Sequence, residues 1–339
     1  MRALHNPAAD PSRVPAPVLD AIPFHRTLPE YRATPVRDLP EAAAELGLGA
    51  VGVKDESQRF GLPAFKILGA SWAVERTLAE QPRVHTLVAA SAGNHGRAVA
   101  HVAAQRGLTC RIFLPARSVP ARRAAIAGEG AEVVIVDGTY EDAVAQAGGA
   151  AADPMVAEIA DTGRGRTAEW VIDGYATLFD EALGQFPATM IVVPVGVGSL
   201  AAAAARAGAA AGIPVVGVEP ATAACLTASL AAGEPTPVAN PGTVMAGLDC
   251  AEVSPTAWPT LLPGIAGMVT VSDAEARAAM ESLAAQELAI GECGAASLAA
   301  LQALARDPAC AELAAATGVG GASRVLLIAT EGLTATATS

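Results

Sequence analysis

Short apolar runs alternate with alanine-rich segments along most of the chain, and this alternation constrains the fold more than any other feature. The apolar runs have the length of buried strands, and the longer segments between them have the composition of helices. Predicted strands lie at residues 51–54, 86–90, 110–114, 132–136, 190–194, 214–218 and 325–329. Predicted helices lie at residues 65–78, 95–106, 120–127, 140–151, 168–184, 199–211, 221–232, 273–287, 294–305 and 309–316. The pattern predicts an α/β fold with a mostly parallel sheet covered by helices on both faces.

The composition excludes several classes of partner. Hydrophobic residues make up 52% of the 339 residues, and the net charge of −12 leaves no basic surface for nucleic acid. No apolar stretch is long enough to cross a membrane, and the first residues lack the apolar segment of a secretory signal. The cysteines and histidines do not show the spacing of a zinc site or a disulfide framework. We therefore expect a cytoplasmic protein with no metal site and no nucleic-acid or membrane partner.

Two segments that directly follow predicted strands are suited to ligand binding, because ligands bind at the carboxyl ends of parallel strands. Residues 196–200 form a glycine-rich turn before a helix, where free backbone N–H groups bind phosphate. An ordinary strand–helix turn is the alternative. Residues 91–96 are small and polar, so the backbone can approach a carboxylate closely. The alternatives there are helix capping by Ser91 or Asn94 and a purely structural His95.

The chain contains only two lysines, Lys54 and Lys66. Lys66 is flanked by Phe65 and Ile67 near a predicted helix start, and partial burial there would lower the pKa of its amine. Such an amine can form a Schiff base. The alternative, two solvated surface charges, is weakened because arginine has replaced lysine everywhere else and cannot form a Schiff base. A reactive lysine, a phosphate turn and a carboxylate-binding loop together indicate pyridoxal phosphate.

A series of ordered motifs supports this interpretation. They lie at residues 24–31, 34–35, 54–57, 59–62, 64–66, 93–97, 242–248, 291–296 and 330–332. The chain thereby resembles the β-family, or fold type II, of pyridoxal-phosphate enzymes over nearly its whole length. Within that family the motifs are most similar to those of the diaminopropionate ammonia-lyases.

The resemblance implies a role for each matching residue. Lys66 would be the Schiff-base lysine and the acid/base at Cα, and Asp161 would be a second catalytic acid unless it only caps a helix. Cofactor-binding residues would be Phe65 beside the ring, Asn94 at the ring hydroxyl, Thr330 at the pyridine nitrogen, and the phosphate-binding Gly196, Val197, Gly198, Ser199 and Leu200. Substrate-binding residues would be Ser91, Ala92, Gly93, Asn94 and His95.

The resemblance also implies the architecture. We expect two open, twisted, mostly parallel sheets flanked by helices, with the cofactor between two domains. Residues 1–40 would be an N-terminal arm, residues 41–85 and 175–339 the large cofactor-binding domain, and residues 86–174 the small mobile substrate-binding domain. A homodimer is expected on the same grounds.

The expected reaction is α,β-elimination of a small β-substituted amino acid such as 2,3-diaminopropionate, giving a 2-oxo acid and ammonia. The alternatives are an L-serine/threonine dehydratase, a β-replacement synthase, a racemase, or a scaffold without catalysis. One departure is informative. The ammonia-lyase pattern has an aspartate before Gly-Asn-His-Gly that serves as base for the D-enantiomer, and here that position is Ala92.

Overall fold

A computed structural model describes residues 1–163 and 165–333. The strands are β1 (Ala3–His5), β2 (Val36–Asp38), β3 (Ala50–Asp55), β4 (Thr86–Ala89), β5 (Thr109–Pro115), β6 (Glu132–Val136), β7 (Val156–Glu158), β8 (Met190–Pro194), β9 (Val215–Pro220), β10 (Gly267–Val271) and β11 (Arg324–Ala329). The helices are α1 (Ala21–Thr27), α2 (Pro40–Leu46), α3 (Lys66–Glu80), α4 (Asn94–Gln105), α5 (Pro120–Gly128), α6 (Tyr140–Ala150), α7 (Arg166–Gly174), α8 (Ala176–Gln185), α9 (Ser199–Ala211), α10 (Cys225–Ala232), α11 (Trp258–Gly264), α12 (Asp273–Ala284), α13 (Glu292–Arg306) and α14 (Ala311–Ala316).

The larger sheet has seven strands in the order β1-β10-β9-β8-β11-β3-β2. Its five inner strands run parallel, and β1 and β2 are antiparallel strands at the two edges. Every residue of β8 and β9 is buried, because helices cover both faces of the sheet. Because β3 and β8 both run parallel to β11, the carboxyl ends of these three strands lie at the same edge of the larger sheet.

The smaller sheet has four parallel strands in the order β6-β5-β4-β7. Helix α4 follows β4 directly and packs against α3, which starts beside the larger sheet. One hydrophobic cluster contains residues of both sheets, including Leu87 and Ile112 of the smaller and Val193 and Ile328 of the larger. The predicted arrangement of two mostly parallel sheets flanked by helices is confirmed.

The structure differs from the sequence prediction in its shortest elements and in β10, an inner strand of five residues that the sequence did not predict. Residues 1–40, predicted as an extended arm, supply both antiparallel edge strands and helix α1. The strands β1, β2 and β7 have three residues each, too few for a periodic pattern, and pairing with distant strands defines them. The predicted helix over 168–184 is two helices. Helix α7 ends at Gly174, where an added Cβ would lie 2.5 Å from the Leu68 carbonyl oxygen.

Within residues 1–163 and 165–333, no helix is both long enough and apolar enough to cross a membrane. The same residues contain no group of three or more His, Cys, Asp and Glu side chains placed to hold a metal ion.

Lys54 belongs to a buried ion network that ties the N-terminal residues to the larger sheet. Its Nζ donates to the Thr34 carbonyl oxygen at 2.7 Å and to Glu181 Oε2 at 2.6 Å. Arg59 donates to the same Glu181 oxygen at 2.7 Å and also binds Glu56. The positive charges of two buried cations thus neutralise the negative charges of two buried carboxylates, and water does not reach any of them. The role of Lys54 in this structure is structural.

Glu181→Gln is expected to lower the free energy of unfolding by about 3–5 kcal/mol, since it leaves buried Lys54 and Arg59 with one carboxylate too few. Urea denaturation measures the loss. The control is Glu45→Gln, which removes an exposed carboxylate paired with Arg306 at 2.9 Å and should cost no more than about 1 kcal/mol. Equal losses in the two variants would contradict the structural role of the network.

Candidate active site

Lys66 is the first residue of α3 and lies between the two sheets. Its Nζ donates a hydrogen bond to Asp161 Oδ2 at 2.8 Å, so two residues 95 positions apart meet in one ion pair. The Phe65 ring centroid is 5.4 Å from Nζ. The structure therefore brings together the lysine, the acid and the aromatic residue that the sequence singled out.

The sequence predicted a lowered pKa for the Lys66 amine, and this prediction is wrong because the structure raises that pKa. Burial alone would lower the pKa of this amine, but the adjoining Asp161 carboxylate outweighs burial and raises it. The Lys66 ammonium and His95 likewise hold the pKa of the Asp161 carboxyl below its usual range, against the upward effect of burial. In this state the proton resides on Lys66, which must lose it before it can act as a nucleophile or base.

Asp161 also lies beside His95 and the glycine turn. Its Oδ2 is 3.8 Å from His95 Nδ1, and His95 Nε2 lies 2.7 Å from the Ile159 carbonyl oxygen, which can only accept. His95 Nε2 therefore carries a proton, and Nδ1 faces the Asp161 carboxylate. The backbone carbonyl of Asp161 accepts from Ser199 Oγ at 2.7 Å, which fixes the acid to the start of α9.

The helix-capping alternatives are not supported. The N-cap of α7 is Gly165, so Asp161 does not cap that helix. The N-cap of α4 is Gly93 and makes no side-chain cap hydrogen bond, so neither Ser91 nor Asn94 has that role.

Residues 195–198 form the glycine turn between β8 and α9. In the part of the chain that the structure describes, the backbone N–H groups of Gly196, Val197 and Gly198 have no acceptor. The N–H groups of Ser199 and Leu200 begin the helix, where no intrahelical acceptor exists. Gly198 has φ +100°, and a Cβ on Gly196 would lie 2.6 Å from the Gly247 carbonyl oxygen. Glycine is thus required both for the turn and for the close approach.

Two buried hydroxyl groups at the site lack partners. Thr330 follows β11, and Tyr175 separates α7 from α8. Neither Thr330 Oγ1 nor the Tyr175 hydroxyl has a hydrogen-bond partner among the described residues. Burial raises the pKa of Tyr175 to about 12, opposed in part by the Lys66 ammonium. Unpartnered buried hydroxyls are costly in a protein interior, so a polar ligand is expected beside them.

The loop after β4 reaches the end of β11 through Asn94. Ser91 Oγ accepts from the Gly93 N–H at 3.3 Å, and Ala92 is partly exposed. Asn94 starts α4, and its Nδ2 donates to Glu331 Oε2 at 2.6 Å. A Cβ on Gly96 would overlap the Ser91 carbonyl oxygen, so glycine is needed for this tight entry into α4.

Three residues near Lys66 were not identified as site residues from the sequence. The Tyr175 ring packs against Phe65, tilted by 55° with ring centroids 4.8 Å apart, and Glu331 binds Asn94. The Tyr140 hydroxyl donates to the Ala90 carbonyl oxygen at 3.1 Å. Burial and the neighbouring Asp161 raise the pKa of that hydroxyl. Only Glu331 had a usable signal, since it directly follows Thr330 in a matching motif.

These residues fit pyridoxal phosphate. The glycine turn offers unsatisfied N–H groups for a phosphate, Lys66 offers the amine, and Thr330 offers an unpartnered neutral hydroxyl.

Comparison with known proteins gives the same result. Residues 27–331 match the family described as pyridoxal-phosphate dependent enzyme. The chain is 33% identical to diaminopropionate ammonia-lyase from Salmonella typhimurium, over 92% of this chain and 88% of that protein. It is 31% identical to the biosynthetic L-threonine dehydratase of the same organism, over 52% of this chain and 34% of that enzyme.

A solved structure shows the likeness in three dimensions. Diaminopropionate ammonia lyase from Escherichia coli, in complex with an aminoacrylate-PLP azomethine reaction intermediate, superposes with a TM-score of 0.88 at 29% identity. The match covers 97% of this chain and 93% of the other.

Proposed function

Because the chain belongs to the family of pyridoxal-phosphate dependent enzymes, we propose that it catalyses α,β-elimination of a small β-substituted amino acid, first of all 2,3-diaminopropionate. The products would be a 2-oxo acid and ammonia. The observation that carries this proposal is the Lys66–Asp161 ion pair at 2.8 Å beside the open glycine turn. The cofactor is pyridoxal phosphate.

The residues of the site divide the work of holding the cofactor. Pyridoxal phosphate, when bound, supplies an aldehyde carbon that amines attack and a ring that accepts the electron pair left at Cα. Residues 196–200 would hold the phosphate, and Asn94 would donate to the ring hydroxyl. Thr330 would face the pyridine nitrogen with a neutral hydroxyl, and Phe65 would pack beside the ring.

Lys66 and Asp161 would move or hold the protons. Once its proton is lost, Lys66 Nζ can remove the Cα proton of the substrate. The ionised Asp161 carboxylate would keep the β-amino group of the substrate protonated, and a protonated amine leaves as neutral ammonia. The N–H groups of residues 91–94 would orient the substrate carboxylate. The Lys66 and Asp161 side chains are 20% and 16% exposed, so a substrate can reach the pair.

A second candidate, L-serine/threonine dehydratase, is favoured by one observation. Ala92 replaces the aspartate of the ammonia-lyase pattern, and the Ser-x-Gly-Asn-His form occurs in dehydratases of the family. Either reaction would be confined to the L-enantiomer, since the proposed base for the D-enantiomer is missing.

The test is a panel of L- and D-amino acids assayed for 2-oxo acid and ammonia release by the pyridoxal-phosphate-loaded enzyme. We expect L-2,3-diaminopropionate to be the best substrate, with L-serine weaker and the D-enantiomers near background. Turnover of L-threonine or L-serine alone would select the dehydratase. Activity restricted to D-2,3-diaminopropionate would contradict the interpretation of Ala92.

Gly196→Ala is expected to weaken cofactor binding by at least about tenfold, because an added methyl group would press on the Gly247 carbonyl and displace the N–H groups of the turn. Equilibrium titration with pyridoxal phosphate measures the effect. The control is Gly184→Ala in α8, where an added Cβ meets nothing within 4 Å. Wild-type affinity in Gly196→Ala would place the phosphate elsewhere.

We also propose the division into a small domain over residues 86–174 and a large domain over residues 41–85 and 175–339. A homodimer and a cytoplasmic location are proposed by resemblance to the family. Light scattering on a sizing column tests the dimer, and a monomer at micromolar concentration would contradict it.

A further inference from the structure

Glu331 occupies a fixed position between the two sheets. It is 8% exposed and directly follows Thr330 at the end of β11. Its backbone forms a bridge with Ala64, and its carbonyl accepts from the Gly291 N–H at 3.0 Å. A Cβ on Gly291 would lie 3.3 Å from Glu331 Oε1, so the carboxyl is packed as closely as a glycine allows.

The side chain of Glu331 reaches from the larger sheet to the smaller one. Its Oε2 accepts from Asn94 Nδ2 at 2.6 Å, and Asn94 begins the helix that follows β4. The bond joins residues that are 237 positions apart. It therefore fixes the start of α4 relative to the end of β11.

The other side of the carboxyl meets the first turn of α13. Burial raises the pKa of Glu331, while Cys293 and Asn94 favour its charged form. Cys293 Sγ in turn accepts from the Gly247 N–H at 3.2 Å, and the Gly247 carbonyl is the group that packs against Gly196. A continuous set of contacts thus runs from the glycine turn to Asn94.

The chemistry of a carboxylate determines which way the Asn94 amide points. Glu331 Oε2 accepts from Asn94 Nδ2, and the donors at Asn94 and Cys293 favour the ionised carboxyl, which only accepts and so repels Oδ1. One N–H of Asn94 is then used by Glu331, and the second N–H remains to donate to an oxygen in the site. A glutamine at the same place could donate or accept and would not discriminate between the two amide orientations.

We infer that Glu331 is a positioning residue that orients the Asn94 amide as a donor toward the cofactor and holds the loop at residues 91–94 against the larger sheet. The inference rests on the proposed function, because the Asn94–cofactor contact belongs to it. Glu331 itself acts through Asn94 and touches no reacting atom.

The experiment compares Glu331→Gln with wild type as loaded enzymes. The visible absorption band of the bound cofactor reports the hydrogen bond at the ring hydroxyl. So does the pH midpoint, which is the pH at which half of the change in this band has occurred. Hydrogen exchange reports the protection of residues 91–96. We expect a changed pH midpoint, faster exchange at residues 91–96, and kcat lowered about tenfold at nearly unchanged melting temperature. Glu331→Asp retains an acceptor-only carboxylate and should recover the wild-type midpoint at least in part.

Two further variants separate this role from a general effect of lost charge. Glu158→Gln removes a half-buried carboxylate from β7 that has no hydrogen-bond partner among the described residues, and it should leave all three readouts unchanged. In the Asn94→Ala background, Glu331→Gln should add no further change in the absorption band.

A wild-type band, midpoint and exchange rate in Glu331→Gln would overturn the inference, as would an effect that persists undiminished in Asn94→Ala. If Glu331→Gln fails to fold, the same comparison is made with Glu331→Ala and Asn94→Ala, and additive band changes would overturn the inference. The absorption band and the exchange rate are measured without turnover. They therefore test the role of Glu331 even if the proposed reaction is wrong.

Discussion

Lys66→Ala is expected to lower kcat/KM for elimination by a factor on the order of 10⁴ or more. The substitution removes the amine that would hold the cofactor covalently and the base that would act at Cα. Steady-state assay of 2-oxo acid release measures the loss, and the visible absorption of the lysine-bound cofactor should disappear with it. The remaining lysine, Lys54, is buried in an ion network and cannot replace it.

The matched control is Lys66→Arg. Arginine keeps the positive charge opposite Asp161 and fills similar space, but it cannot form a Schiff base. We expect Lys66→Arg to be as inactive as Lys66→Ala while keeping more of the wild-type stability. Substantial activity in either variant would show that another group performs the chemistry.

Asp161→Asn is expected to lower kcat by about 10²–10⁴-fold, because the carboxylate that would keep a proton on the leaving group is lost. It should also change the protein before any cofactor is added. Asp161 raises the pKa of Lys66, and burial alone lowers it, so the pKa of Lys66 should fall in this variant. The pH dependence of Lys66 modification by an amine-reactive reagent, in the cofactor-free protein, measures that shift toward lower pH.

Asp173→Asn is the control for this substitution. Asp173 is also a buried aspartate with a basic partner, since it accepts from Arg206 Nη1 at 2.8 Å, but it does not contact Lys66. Its loss should affect stability and leave kcat within a few fold. A kcat in Asp161→Asn similar to that of Asp173→Asn would remove Asp161 from the mechanism.

The sequence predicted four of the five inner strands of the larger sheet and the glycine turn, because apolar runs and glycine-rich turns are local signals, but it missed β10. It could not predict β1 and β2, which have three residues each and depend on pairing with β10 and β3. Tertiary context decided these elements, not local propensity.

The same division holds at the site. Lys66 stood out by the scarcity of lysine and by its apolar neighbours near a helix start, whereas Asp161 was identified only through resemblance to a family. The pKa of Lys66 was predicted in the wrong direction because its partner lies 95 positions away and has no local signal. Glu331 lies in a matching motif, but its contact with Asn94 joins residues 237 positions apart, and no local pattern encodes it.

The position of β11 in the larger sheet has a consequence for biosynthesis. This strand comes last in chain order among the described strands, yet it lies between β8 and β3. Before residues 324–329 leave the ribosome, β3 and β8 lack the strand that lies between them. Lys66 and the glycine turn are then not held in fixed positions relative to each other. Contacts over such separations form slowly. Chains truncated before residue 324 should therefore be inactive, because β3 and β8 then have no common neighbour.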